Sequence, residues 1–354
     1  MMSFVYETAT PRVLFGTDLL GRLEDEAAAL SIERAIVLST PEQVDLSDRV
    51  HDVLGGRCVV QFTGAAMHTP VGVTEGALKV VRDFSVDGLV AAGGGSTTGL
   101  GKALALRTGL PLIAVPTTYA GSEMTSILGE TKEGEKVTLR DDHVRPRAVL
   151  YDVTLTRGLP PLASALSGLN AMAHAVEAMY ARNRNPIISL LAEEGCRALM
   201  AALPRIVADP ADHAGRERAL YGAWLCGICL DQTEMGLHHK ICHTLGGSFD
   251  LPHAETHSVM LPHTLAYNAG DAPEAVERLA RAFSCDDPVG RIYDLLKSIG
   301  GPTGLRDLGM PRDELPRAAD LALARPYPNP RPLEREGIEA LLERAWSGAA
   351  PERR

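Results

Sequence analysis

Through its first half the chain alternates short, uniformly apolar runs with amphipathic ones, and that rhythm admits few folds. Arg34–Thr40 is apolar and ends in small polar residues, the pattern of a strand buried on both faces of a parallel sheet. A helical period over Val44–Leu54, a strand at Cys58–Phe62, a helix over Thr69–Phe84 and a strand at Gly88–Ala92 continue it. Leu112–Pro116 and Ala148–Asp152 read as further strands, Asp18–Leu30 as a helix, Phe4–Gly16 as short strands and Lys132–Lys136 as a hairpin turn. Strands spaced by helices predict an open, mostly parallel sheet with helical crossovers.

From Leu162 the β-branched runs stop and helical periodicity takes over. Helices are expected over Ala163–Tyr180, Ile187–Leu203 (ended by Pro204), Arg216–Asp231, Val259–Asn268, Pro273–Phe283, Val289–Ile299 and Ile338–Trp346. The breakers in Thr154–Pro161 mark the change. The expected organisation is an α/β domain over residues 1–158 and an all-helical domain over 159–354.

Composition bounds the function. A net charge of −10 argues against a general nucleic-acid binder, which favours a basic surface. No apolar run reaches the ~20 residues of a membrane span, and no basic-then-apolar leader opens the chain. A cytoplasmic protein is expected. The six cysteines form no disulfide pattern, and the Cys226–Cys229 pair lies in an apolar run that suits buried thiols better than a zinc site.

Two stretches carry chemistry. Strand 88–92 runs into Gly93-Gly-Gly-Ser-Thr-Thr-Gly-Leu-Gly-Lys-Ala103. A glycine-rich turn ahead of a helix lets backbone N–H groups reach a phosphate, so Gly94, Gly95, Ser96 and Thr97 are candidate cofactor contacts. Thr117 and Thr118 lie at the carboxyl end of the next strand, the edge at which open α/β sheets bind ligands. The second stretch holds six of the chain's 11 histidines between His238 and His263. His239 and His243 are four apart, as are Asn170 and His174, so each pair shares one helix face. The glycines at 246 and 247 suggest the end of the helix that carries the first pair, with His253 in the connection beyond. Such a cluster reads as a metal site or an acid/base site.

Five motifs in order, Gly93–Thr98, Pro116–Thr125, Asn170–Glu177, Gly236–Gly247 and Leu251–His257, resemble the iron-containing alcohol dehydrogenase superfamily over essentially the whole chain. The resemblance implies a dehydroquinate synthase-like fold, an α/β nucleotide-binding domain followed by an all-helical domain with nicotinamide in the cleft, and a homodimer. Metal-dependent members hold a divalent ion with an Asp and three His, positions that fall here on Asn170, His174, His239 and His253. A neutral amide at 170 removes the anionic ligand, which points to the branch that works without a metal and reduces the conjugated C=C bond of maleylacetate to 3-oxoadipate. The alternative is a metal-dependent alcohol or polyol dehydrogenase.

On this resemblance His174, His239, His253 and His243 line the reaction pocket, with His243 the leading proton donor. Asn170, His238, Lys240 and Tyr119 are candidate contacts of the dicarboxylate substrate. His68 and Lys136 are carried over as cofactor contacts. Thr40 stands where relatives often place an Asp that repels a 2′-phosphate, so both NADH and NADPH are expected, and no metal. The resemblance also implies that metal-dependent relatives commonly carry an acidic residue where this chain has Gly99.

Overall fold

Six strands, β1 (Arg12–Gly16), β2 (Ala35–Leu38), β3 (Cys58–Phe62), β4 (Gly88–Gly93), β5 (Leu112–Pro116) and β8 (Ala148–Asp152), form one sheet in the order β1-β8-β5-β4-β2-β3, every pair parallel. β6 (Ile127–Lys132) and β7 (Glu135–Arg140) form a separate antiparallel hairpin. These coordinates come from a computed structural model, which describes residues 4, 6–132 and 135–352. The turn residues 133 and 134 of the expected hairpin and the side chain of Lys136 lie outside the described residues. By internal contacts the chain divides into two units, Ala9–Leu159 and Pro160–Arg354, the latter with the short segment before Ala9.

In the sheet unit the four inner strands, β8, β5, β4 and β2, are buried on both faces, and successive side chains feed two separate cores. Val90 and Ala92 pack with Val37, Val50 and Leu54, whereas Leu89 and Ala91 pack with Ile36, Leu38, Leu78 and Leu104. The first core lies under α1 (Leu23–Ala29) and α2 (Val44–Leu54), the second under α3 (Val71–Asp83) and α4 (Gly95–Thr108). The chain therefore leaves β2 toward one face and β4, its neighbour, toward the other. That divergence is a topological switch point, where the strand ends open a crevice. α4 starts at Gly95, with Gly94 as its N-cap.

The other unit is helical among its described residues. α5 (Pro161–Tyr180) is buried almost throughout and packs against α6 (Pro186–Ala208) and α7 (His213–Gln232). Pro204 lies inside α6 rather than ending it. α8 (Leu237–Phe249) runs through Gly246 and Gly247 and stops at Asp250, whose left-handed backbone (φ 55°) sends its N–H to the Leu245 carbonyl. Leu251 follows with a second N–H to the same carbonyl and a side chain buried in the core of this unit, so packing sets the helix end in place of the glycines. Pro252 then starts α9 (His253–Asn268) at once, so His253 is a helical residue and not part of a loop. α10 (Pro273–Phe283), α11 (Pro288–Ser298), α12 (Leu315–Leu323) and α13 (Arg335–Ser347) complete the unit. No described helix is long and apolar enough to cross a membrane.

Candidate active site

At the switch point of the sheet, glycine is demanded by its neighbours. Gly93 has φ 154°, and a Cβ there would lie 2.5 Å from Gln43 Oε1 and from Thr97 Oγ1. A Cβ on Gly94 would lie 2.9 Å from Thr118 Cγ2. The backbone thus stays bare at the mouth of α4, whose first-turn N–H groups, with Ser96 and Thr97 among their residues, form an anion-binding terminus. The buried Thr97 hydroxyl has no hydrogen-bond partner. Gln43 donates to Thr117 Oγ1 at 2.9 Å and ties the β2 and β5 ends together, a role no motif announces. Thr40 caps the short 3₁₀ turn after β2 and brings no charge to it.

His68 and Thr69 both have left-handed backbones, φ 62° and 47°, a conformation that strains non-glycine residues. Thr131 holds them there, donating its hydroxyl to the His68 carbonyl at 3.1 Å and its N–H to the Thr69 carbonyl at 3.2 Å. The strain places the Thr69 hydroxyl against Gly99, in the space a Cβ on that glycine would need. A side chain at 99 would meet this hydroxyl before anything else.

Lys102 is buried, and its ammonium donates to the carbonyls of Ser122 (2.5 Å), Thr125 (2.8 Å) and Ile127 (2.8 Å) and to Thr125 Oγ1 (2.8 Å). It pins the loop that follows Thr117 and Thr118. Glu123, in that loop, accepts from the Tyr151 hydroxyl at 2.8 Å, and burial raises its carboxyl above the ordinary range. It anchors the loop and offers no exposed acid. Tyr119 is fully buried as well.

In the helical unit, α5, α8 and α9 bring the histidines together. Asn170 and His174 are buried on α5, and His239 lies across from them with its Nε2 2.8 Å from His174 Nδ1. His239 Nδ1 meets Glu177 Oε2 at 2.5 Å. Glu177 also caps α8, accepting from the backbone N–H groups of Gly236 (3.2 Å), His238 (2.8 Å) and His239 (3.3 Å). Because a carboxylate only accepts, His239 carries its proton on Nδ1, and its Nε2 accepts from His174 Nδ1–H. His243 and His253 are half-buried at the edge of the cluster. Lys240 is half-buried one residue along α8 from His239. The Asn170 Oδ1 is buried without a partner.

The sequence pattern left His257 aside, because a loop at 253 hid its helical partner. Helix α9 sets His253 and His257 on one face with ring centres 4.3 Å apart, and His257 is the hub. Its ring centre lies 5.2 Å from His239 and 6.4 Å from both His243 and His174. His238 sits behind it, fully buried, with Nε2 2.9 Å from His257 Nδ1 and Nδ1 3.0 Å from Thr264 Oγ1. Burial, and then the charge of neighbouring imidazoles, hold His238 and His257 well below the usual histidine range, so both are neutral near pH 7. A neutral, enclosed His238 is no partner for a substrate carboxylate. It is a support for His257.

His238, His257 and the buried thiol of Cys242 lie within 4.8 Å of one another, a grouping of metal-ligand type whose two imidazoles already hydrogen-bond to each other. A cavity of about 690 Å³ in the same unit is lined by Tyr180, Arg182, Glu234 and Asn329 and meets this network at Glu177 and Gly236, with no histidine in its wall. His263 lies inside α9, buried, where burial lowers it to about 4.

Comparison with known proteins covers both units. A family model described as iron-containing alcohol dehydrogenase matches residues 10–153, and one for the C-terminal part of the Fe-containing alcohol dehydrogenase family matches residues 164–346. The chain is 53% identical over 351 residues to a maleylacetate reductase of Burkholderia cepacia, covering 99% of this chain and 100% of that protein. The crystal structure of maleylacetate reductase from Agrobacterium tumefaciens superposes with a TM-score of 0.95 at 50% identity, over 99% of this chain and 100% of that one. That of 1,3-propanediol oxidoreductase superposes with a TM-score of 0.91 at 25% identity, over 97% of this chain and 100% of that one.

Proposed function

The chain belongs to the iron-containing alcohol dehydrogenase family, and from that premise we propose that it reduces maleylacetate to 3-oxoadipate with NADH or NADPH, in the degradation of aromatic compounds, and does so without a metal. The observation that carries the metal-free reading is the donor set. A hard divalent ion favours carboxylate oxygen, and position 170 offers a neutral amide. Of the three imidazoles, His174 Nδ1 and His239 Nε2 face each other at 2.8 Å, which leaves a poor cage. The residues do not fit the family's ion.

The dinucleotide is a different matter, because the residues suit it. Bare backbone at Gly93 and Gly94, the mouth of α4 and the unpartnered Thr97 hydroxyl are suited to a pyrophosphate. When bound, a reduced nicotinamide supplies hydride to the alkene carbon β to the ketone. The remaining tasks belong to the helical unit: stabilising the enolate oxygen and protonating the α-carbon. Glu177 orients His239, and through it His174, so that the pair faces the enolate. His243, at the edge of the cluster, is the proton donor, with His253 beside it. Lys240 is the cation nearest these rings along α8 and binds a substrate carboxylate. With no charge at Thr40, a 2′-phosphate meets no carboxylate there.

A cytoplasmic homodimer acting on this small dicarboxylate completes the proposal, on the strength of the family likeness. The test follows dinucleotide oxidation at 340 nm with maleylacetate, with and without chelator. Turnover untouched by chelator is expected. Activity lost to chelator and restored by iron or zinc establishes instead the metal-dependent alcohol or polyol dehydrogenase. A preference for NADH above ~100-fold in kcat/KM, about 2.7 kcal/mol, overturns the dual-cofactor part.

A further inference from the structure

We propose that Thr264 and His238 are positioning residues for this reaction, fixing His257 through two consecutive hydrogen bonds in the tautomer that leaves its Nε2 bare within the imidazole cluster. The inference rests on the reductase reading above, and its geometry is independent of it.

The chain of protons starts at Thr264. Its hydroxyl oxygen lies 3.0 Å from the Met260 carbonyl and 3.2 Å from that of Leu261, and its one proton goes to these acceptors. With that proton turned to its own helix, Thr264 accepts from His238 Nδ1, 3.0 Å away, and His238 carries its proton on Nδ1. The His238 Nε2 then presents a lone pair to His257 Nδ1 at 2.9 Å, nearer than the Cys242 thiol at 3.7 Å, and His257 donates to it. The proton of His257 is thereby placed on Nδ1. Its Nε2 is left as an acceptor, buried and without a partner. All three residues are fully enclosed, and burial keeps both rings neutral, so the only freedom left to them is which nitrogen holds the proton.

The consequence lies in the surroundings of that bare nitrogen. His174, His239, His243 and His253 have ring centres 4.3–6.4 Å from that of His257. An acceptor among them takes an N–H from whichever imidazole is protonated during turnover and steadies its charge. The other tautomer would set an N–H among the same rings and repel that charge. Glu177 performs the matching task on His239 from the opposite end of the network.

Thr264→Val keeps the shape and removes the acceptor. His238 is then expected to shift its proton to Nε2 and drive His257 to its Nε2–H form. Two-bond ¹H–¹⁵N spectra of histidine-labelled protein read this directly. Both rings should be Nδ1–H in the wild type and Nε2–H in the valine variant. kcat should fall by about tenfold or more while KM for the dinucleotide stays within about twofold, and Thr264→Ser should restore tautomers and rate. A wild-type His257 protonated on Nε2 overturns the proposal even if the valine variant does not fold. A tautomer switch with unchanged kcat, or a slow valine variant with unswitched rings, overturns it as well. The tautomers are read without turnover, so failure of the reductase reading is distinguishable from failure of the relay.

Discussion

Glu177 does two things at once, and replacing it with Gln separates them. The wild-type carboxylate accepts three backbone N–H groups at the start of α8 and the Nδ1–H of His239. Glu177→Gln keeps the volume but loses the charge and turns one acceptor oxygen into a donor. A charge-assisted bond lost is worth about 1.5–3 kcal/mol, and a buried N–H left facing a donor costs about 1–3 kcal/mol more. A destabilisation of about 2.5–6 kcal/mol follows. At ~2–4 °C per kcal/mol for a unit of this size, Tm should fall by on the order of 10 °C. The second effect is chemical. An amide no longer fixes the His239 ring as a carboxylate does, and a loss of about 2 kcal/mol in transition-state stabilisation by the misoriented His239–His174 pair lowers kcat on maleylacetate by roughly 30-fold. Differential scanning calorimetry and steady-state kinetics at 340 nm measure the two separately. A variant that melts within about 2 °C of wild type, well below the smallest expected shift of about 5 °C, refutes the cap. A lower Tm with kcat within about twofold of wild type refutes the orienting role while leaving the cap intact.

Two further outcomes are expected. Asn170→Asp restores a carboxylate beside His174, and the purified variant should retain a divalent ion, measured by elemental analysis; a metal-free variant would mean that the imidazoles too have lost the geometry. His263 is held at about 4 by burial and, less strongly, by Arg344, against about 6.5 in the unfolded chain. The unfolded state therefore takes up the proton first as pH falls, so this stability is complete above pH 6.5 and about 3 kcal/mol is lost by pH 4. His238 and His257, also lowered, act in the same direction. Tm should decline through that window, less steeply in His263→Gln, and parallel declines in the two proteins would contradict the assignment.

Much of the fold was legible because its signals are local. The strands at Cys58–Phe62, Leu112–Pro116 and Ala148–Asp152 and the helices Val44–Leu54 and Pro273–Phe283 have the bounds their periodicity implies. Errors arose where packing overrode local chemistry. Gly246 and Gly247 look like a stop, yet the buried Leu251 sets the stop at Asp250. Pro204 looks like a terminator, yet α6 continues to Ala208. α12 was not foreseen at all. The first of these slips concealed the most about the site, because a premature end to α8 left His253 in a loop and broke its spacing with His257. Contacts between distant segments, such as Gln43 with Thr117 or Glu177 with the start of α8, have no sequence period and emerge only on folding.

The fit of Thr69 against Gly99 also bears on what position 99 tolerates. A Cβ at 99 meets the Thr69 hydroxyl oxygen, while the next nearest atoms, Thr69 Cβ and Cγ2, stand at 3.6 and 3.9 Å. Room for a side chain is therefore opened by turning that hydroxyl away, and the strained turn at His68 and Thr69, held by Thr131, stays as it is.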